Sequence, residues 1–263
     1  MSSPLPASTG ATSVPALRRA VAILDHLAGT SDAPSMAEIA RALGLPKSTA
    51  HGLILAMEEI GLVKRMPGAG FRIGTHPLRW AAGFLSQTDL VTSFNTYFAR
   101  ERDLARFTVT MTVLEGAEVI YIACAPADQP LGVTFRIGMR LPAPFTATGL
   151  ALLAARSDDE VCRRLEQGFP APLTENSLRS LPDLLAEVER TRARGFSIDD
   201  GQVRQGMICL GTVLRNHADE VVAGIALSLT RPEATPEVIE ALGATLVAAG
   251  RDISGQLGHD PTA

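Results

Sequence analysis

Lys47, Ser48 and Thr49 stand side by side, His51 follows, and Lys64, Arg65 and Arg72 lie a little further on. The first six belong to the stretch SMAEIARALGLPKSTAHGLILAMEEIGLVKR, Ser35 to Arg65, in which two short amphipathic segments meet at Gly44-Leu45-Pro46. An amine and two hydroxyls at the start of a helix sit where backbone N–H groups lack intrahelical acceptors and the helix dipole is positive, so they suit a phosphate. An imidazole two residues beyond them can exchange a hydrogen bond with a base edge. We therefore expect Lys47, Ser48 and Thr49 to meet phosphate and His51 to meet a base, with Lys64, Arg65 and Arg72 on the sugar-phosphate backbone or in the minor groove. Two plainer readings of the same residues are a helical hairpin with a solvated face and a winged helix that docks on protein.

The other reactive residues form no recognisable constellation. Cys124, Cys162 and Cys209 are odd in number and far apart, with no Cys-x-x-Cys and no nearby histidine pair, which argues against a disulfide framework or a structural metal. A cysteine nucleophile needs a histidine base, and His217 falls in an expected hairpin tip while His76 and His259 lie near segment ends. No glycine-rich phosphate loop, catalytic carboxylate pair or HExxH is present, so no cofactor, no metal and no enzymatic turnover are expected. A regulator that senses oxidants through Cys209 is the alternative, although an apolar strand raises a thiol's pKa.

The elements that hold these residues follow from periodicity. Leu17, Ala20, Val21, Leu24 and Leu27 predict a helix from Val14 to Ala28, opened by Pro15 and ended by Gly29. Ser35 with Glu38 makes a capping box for a helix running to Leu43. After Gly44, Pro46 opens another, with Ala50, Leu53, Ile54, Met57 and Ile60 as its apolar stripe. LVKRM and FRIG read as short strands around the PGAG turn. Helix, tight turn, helix and hairpin are the order of a winged helix-turn-helix, placed at residues 14–75. A linker helix follows at 76–88. Leu17, Leu24, Leu78 and Leu85 offer more apolar surface than so small a domain hides, which suggests a partner face.

The period changes to two beyond Phe107. FTVTMTVL and VIYIACA around Glu115-Gly116 predict a hairpin, preceded by a helix from about Leu90 to Leu104. Helices are expected at Thr148–Ala155, Asp158–Gln167 and Leu181–Arg194, strands at GFSID, MICLGTVL and VVAGIALSL, and a last helix at Pro236–Leu257. Strands at both ends of a helical insert describe a second domain, residues 89–258, of α/β (α+β) class with a mostly antiparallel sheet.

Charge divides along the same line. Through Trp80 there are 8 lysines and arginines against 5 acids, whereas the remainder carries 16 against 23, so a mildly basic head precedes an acidic body. The N-terminal dozen residues lack a signal-peptide pattern and no segment has about 18 uninterrupted apolar residues, so a soluble cytoplasmic protein is expected.

ALRRAVAILDHLA, the Met36–Arg65 stretch and FRIG together resemble the DNA-binding half of the IclR family of bacterial transcription regulators. FTATGLALLA is similar to that family's T-A-x-G-K-A-L-L-A, and GFSIDDGQVRQGMICLGTVL to its G-x-x-x-D-D-E-x-x-x-G-x-x-C-x-A-x-P-V. The resemblance spans nearly the whole chain. It implies a GAF-like effector-binding body, a homodimer that in some members pairs into a tetramer, double-stranded operator DNA as partner, and a small-molecule effector. It also implies a ligand pocket at Ala147, Thr148, Gly149, Asp199, Cys209 and Ser228, holding an aromatic or other small organic acid or a neutral derivative. Three features depart from the family: Gly52 for an arginine, Leu150 for the lysine, and Gly211-Thr212-Val213 for a small-small-proline run.

Overall fold

Ser35 closes the predicted capping box in the computed structural model, which describes residues 14–68, 70–86, 89–101, 103–125 and 135–260. The chain divides into two units, Met1–Gln87 and Thr88–Ala263.

In the first unit α1 spans Pro15–Ala28, α2 Met36–Ala42 and α3 Lys47–Glu59. The Ser35 N–H donates to Glu38 Oε2 at 2.8 Å and the Glu38 N–H to Ser35 Oγ at 3.4 Å, satisfying two donors that α2 leaves open. Gly44 turns the chain at φ +61°, a left-handed conformation that disfavours a Cβ, and the Leu45 N–H returns to Ala40 O at 2.9 Å. Strands β1 (Val63–Arg65) and β2 (Phe71–Ile73) form the antiparallel wing, with Lys64 opposite Arg72. The Phe71 N–H reaches Pro34 O at 2.9 Å, tying the wing to the start of α2. Ile23, Leu27, Ile39, Ile54, Met57 and Phe71 fill the core.

Two expectations in this unit need correction. Ile60, assigned to the α3 stripe, is 55% exposed, because it is the C-cap and the helix ends before its side chain can follow the stripe inward. On α1 the fully buried residue is Ile23, which the stripe omitted; Leu24 is half-buried in the core, and Leu17 is 63% exposed. Helix α4 spans His76–Ser86, with Leu78 exposed; the Leu85 side chain lies outside the described residues.

The second unit runs α5 (Asp89–Phe98), β3 (Thr108–Glu115), β4 (Glu118–Ala125), β5 (Arg140–Pro142), α6 (Ala147–Ala154), α7 (Asp158–Arg164), α8 (Leu181–Arg194), β6 (Ser197–Asp200), β7 (Met207–Arg215), β8 (Val221–Thr230) and α9 (Pro236–Gln256). One six-stranded sheet has the order β5-β4-β3-β8-β7-β6, with every neighbouring pair antiparallel. Odd-numbered residues of β3, such as Val109 and Met111, share a core with Phe94 of α5 and Leu246 and Ile253 of α9. The opposite face carries Thr108, Thr110 and Thr112, and there α6 crosses the sheet with α8 packed behind it. Helix α5 is shorter than predicted: it stops at Phe98, and Leu104 reaches the core from a loop. Strand β5 was not anticipated, being three residues long and containing Pro142. Among the described residues, no helix is long and apolar enough to cross a membrane.

Candidate functional site

Two surfaces gather the residues that chemistry singled out, one in each unit. On the first, α3 begins directly at Lys47 with Pro46 as N-cap, and no side chain caps its free N–H groups. Lys47, Ser48 and His51 are exposed and Thr49 is half-buried. His51 Nδ1 lies 3.2 Å from Met36 Sδ at the start of α2. Lys64 and Arg72 stand opposite one another on the wing. The arginines are partly committed within the unit. Arg65 pairs with Glu58 at 3.0 Å and lies 4.7 Å over the Phe71 ring, and Arg72 donates to Ser31 O at 2.8 Å. Lys47 and Lys64 make no ion pair among the described residues.

The second surface is a narrow recess where the start of α6 meets the sheet. Register places it. Asp199 faces Cys209 across β6 and β7, and Cys209 faces Ser228 across β7 and β8, so the three side chains form one row. In the next row Ala226 pairs with Gly211 on one side and Thr110 on the other. Helix α6 comes close because Gly211 has no side chain: a Cβ there would sit 2.5 Å from Ala147 O. That carbonyl also accepts from Ser197 Oγ at 2.5 Å, which fixes the helix start over the row.

Five of the six residues assigned by resemblance, Ala147, Thr148, Asp199, Cys209 and Ser228, line the recess. Gly149 does not. Its N–H donates to Thr146 Oγ1 at 3.0 Å, the N-cap bond of α6, and is occupied within the fold. The N–H groups of Ala147 and Thr148 precede the first intrahelical acceptors. Among the described residues the buried Thr148 Oγ1 has no hydrogen-bond partner, an arrangement with a desolvation cost of about 1–3 kcal/mol. Tyr121 and Phe135 stack with centroids 5.3 Å apart and planes at 19°, giving the recess an aromatic wall.

Burial sets the electrostatics here. Asp199 is 2% exposed, and desolvation pushes its carboxyl up to about 7, although backbone N–H groups of Gln202, at 2.6 Å, and Val203 pull the other way. Burial first, then the neighbouring Asp199, raises the Cys209 thiol well above its ordinary value, and the Ser228 hydroxyl 3.2 Å away only partly offsets this. The site thus holds a carboxylic acid that titrates near neutrality and a protonated thiol, with the start of α6 and the Thr148 and Ser228 hydroxyls in the same lining, an arrangement suited to binding a small polar group.

Sequence reasoning missed Thr110, Tyr121, Phe135, Thr146, Val203 and Met207 among the lining residues. Thr110 was readable: in FTVTMTVL every second residue is a threonine, which predicts a hydroxyl-bearing face. Tyr121 and Phe135 meet only through tertiary folding. Missed too were Met36 and Glu58, which hold His51 and Arg65.

Comparison with known proteins finds two matching regions. Residues 16–67 match the IclR helix-turn-helix domain, and residues 82–255 match the bacterial transcriptional regulator IclR C-terminal region. The crystal structure of the Agobacterium tumefaciens repressor BlcR is 50% identical, covers 94% of this chain and 99% of its own, and superposes with a TM-score of 0.63. The transcriptional repressor IclR of Escherichia coli K12 is 27% identical over 244 residues, 92% of this chain and 89% of its own length. An IclR homologue from Microbacterium hydrocarbonoxydans, crystallised with 4-hydroxybenzoate, shares the fold at 21% identity and a TM-score of 0.76, over 91% of this chain and 99% of that one. The matched proteins are regulators and not enzymes, and the chain belongs to the IclR family of bacterial transcriptional regulators.

Proposed function

We propose that the chain is a repressor that binds a two-fold operator as a dimer, or as a pair of dimers, and releases it according to a small organic ligand held in the α6 recess. The observation that carries the DNA reading is α3 itself, with Lys47, Ser48 and His51 exposed on its uncapped first turns beside the basic wing. Lys47 and Lys64 then supply the freest phosphate contacts, while Ser48, Thr49, Arg65 and Arg72 position the helix and wing. In this reading residues 14–75 bind DNA, 76–88 link the domains and support the dimer, and 89–258 sense the ligand.

The ligand is a small organic acid or its neutral derivative. The recess is narrow, with room for little more than a water molecule between its walls, so a body of about benzoate size enters only as the lining side chains move apart. Its polar end meets the Ala147 and Thr148 N–H groups and the unpartnered Thr148 hydroxyl, with Asp199 and Ser228 beside it; its apolar body rests on Tyr121, Phe135 and Cys209. Such compounds are growth substrates, so a catabolic operon is the expected target. The ligand acts only through a difference in affinity for the DNA-competent and incompetent states.

The test is selection of duplexes from a random pool with the full chain, footprinting of the winner, and titration with candidate acids. Two protected half-sites about one helical turn or a multiple apart are expected, with protection relieved by at least one acid. Absence of sequence-selective binding would overturn the DNA reading.

A further inference from the structure

We propose that His51 is locked as a hydrogen-bond acceptor toward the major groove by Met36, and that it selects a base bearing an exocyclic amino group, adenine or cytosine, in each half-site. The inference rests on the DNA reading above and narrows it to one base contact.

His51 is exposed on α3, one turn after Lys47, and its Nδ1 stands 3.2 Å from Met36 Sδ on the neighbouring α2. A thioether sulfur has lone pairs and no proton, so this contact requires the hydrogen to lie on Nδ1. In the neutral ring the proton on Nδ1 leaves Nε2 bare. A bare ring nitrogen accepts. In the major groove, adenine offers its N6 amino donor and cytosine its N4 amino donor, whereas guanine and thymine offer acceptors at O6, N7 and O4. An accepting His51 thus pairs with the first two and is repelled, lone pair against lone pair, by the others.

The surface beside it is shaped for close approach. Gly52 follows directly, and a Cβ there would meet nothing within 4 Å, so no contact within the protein demands glycine in the middle of this helix. A glycine there weakens the helix by about 1 kcal/mol relative to alanine. The bare backbone beside His51 leaves the groove floor free to reach a ring that Met36 holds close to the helix.

Met36 is a positioning residue in this scheme, since it touches His51 and not the DNA. The experiment uses the full-length protein and its selected operator. His51→Ala first identifies the base pair whose identity ceases to matter. Every Watson–Crick pair carries one such amino base, so the decisive readout is removal of its amino group. Replacing the adenine by purine, or the cytosine by 2-pyrimidinone, deletes only the amino group and should weaken wild-type binding about tenfold, with no loss for His51→Ala. Met36→Leu keeps the packing volume and removes the acceptor, so the ring can present either tautomer; discrimination at that pair should fall several-fold while the slope of affinity against salt stays unchanged. Wild-type binding left unchanged by removal of that amino group, or full discrimination retained by Met36→Leu, overturns the proposal while leaving sequence-specific DNA binding intact. A failure to select any duplex overturns the DNA reading itself.

Discussion

The Cys209 sulfur lies 3.2 Å from the Ser228 hydroxyl oxygen on the adjacent strand, and both residues are buried. A thiol must ionise to attack peroxide or an alkylating agent, and burial together with the nearby Asp199 holds Cys209 protonated. Native protein should therefore leave Cys209 unmodified by iodoacetamide for times that label it fully after denaturation, and peroxide should not change operator affinity. Mass spectrometry of the labelled peptides checks the first point. If Cys209 labels first and peroxide releases DNA, the oxidant-sensing alternative takes over.

Asp199 makes the body's stability depend on pH in an unusual direction for a carboxylic acid. Its folded pKa is raised to about 7, against about 3.9 in the unfolded chain. Between those values the folded protein binds the extra proton, so the Asp199 contribution to stability is fully present below about pH 3.9 and is lost as pH rises toward 7. The magnitude is on the order of a few kcal/mol. Carboxylates with lowered pKa, such as Glu38 and Glu233, act below about pH 4.5 and so in a separate window. Denaturant titrations at several pH values should show this slope in the wild type and a flatter one in Asp199→Asn.

Two glycines should respond in opposite ways to alanine. At Gly211 the added carbon would lie 2.5 Å from Ala147 O and 2.6 Å from Ser197 Oγ, so α6 must shift. A loss of about 1–3 kcal/mol is expected, lowering the melting temperature by several degrees. At Gly52 the space is open, and alanine should gain about 0.5–1 kcal/mol of stability from helix propensity. The measurement is thermal denaturation of both variants beside the wild type, with operator binding of Gly52→Ala as a second readout, expected to weaken.

The contrast between those glycines marks how far the sequence could be read. Period-two and period-3.6 patterns located nearly every long element, since burial on one face leaves a regular trace: Leu181–Arg194 appears with its predicted bounds. Caps were equally legible at Ser35, where two residues three apart do the work locally. Strand β5 and the Tyr121–Phe135 wall left no such trace, because their contacts join residues distant in sequence. Gly149 stands outside the lining for a related reason: its N–H is taken by Thr146, and only the cap geometry reveals that. Ile60 was misplaced because a stripe extrapolated past the helix end no longer describes a face.

Cations on the DNA-facing surface should not contribute equally. Lys47 has no ion-pair partner among the described residues, whereas Arg65 is held by Glu58 at 3.0 Å. Lys47→Ala should lower the slope of log affinity against log salt by about one unit and weaken all sequences alike. Arg65→Ala should change the slope less, since part of its charge is already balanced. Glu58→Gln removes that balance and should tighten binding at low salt. Fluorescence anisotropy across a salt series distinguishes the three, and equal slopes for both cation variants would count against Lys47 as the principal contact.

Ligand affinity should follow the protonation of Asp199. An acid whose carboxylate sits by the Thr148 N–H has the Asp199 carboxyl as its neighbour, and two carboxylates in one dry recess repel unless one holds a proton. Because Asp199 titrates near 7, acids should bind more tightly at pH 6 than at pH 8, with a loss of up to about tenfold per pH unit above the pKa. A neutral amide of the same acid should show a much smaller dependence, and Asp199→Asn should abolish the slope for both. Calorimetry with aromatic acids, short aliphatic oxo acids and their amides separates these cases and ranks the classes by size. Ser228→Ala and Thr148→Val provide the positional check: each should weaken the best ligand, because each removes a hydroxyl from the polar end. If affinity is indifferent to pH and to both hydroxyls, the ligand lies elsewhere and the recess is core left partly unfilled.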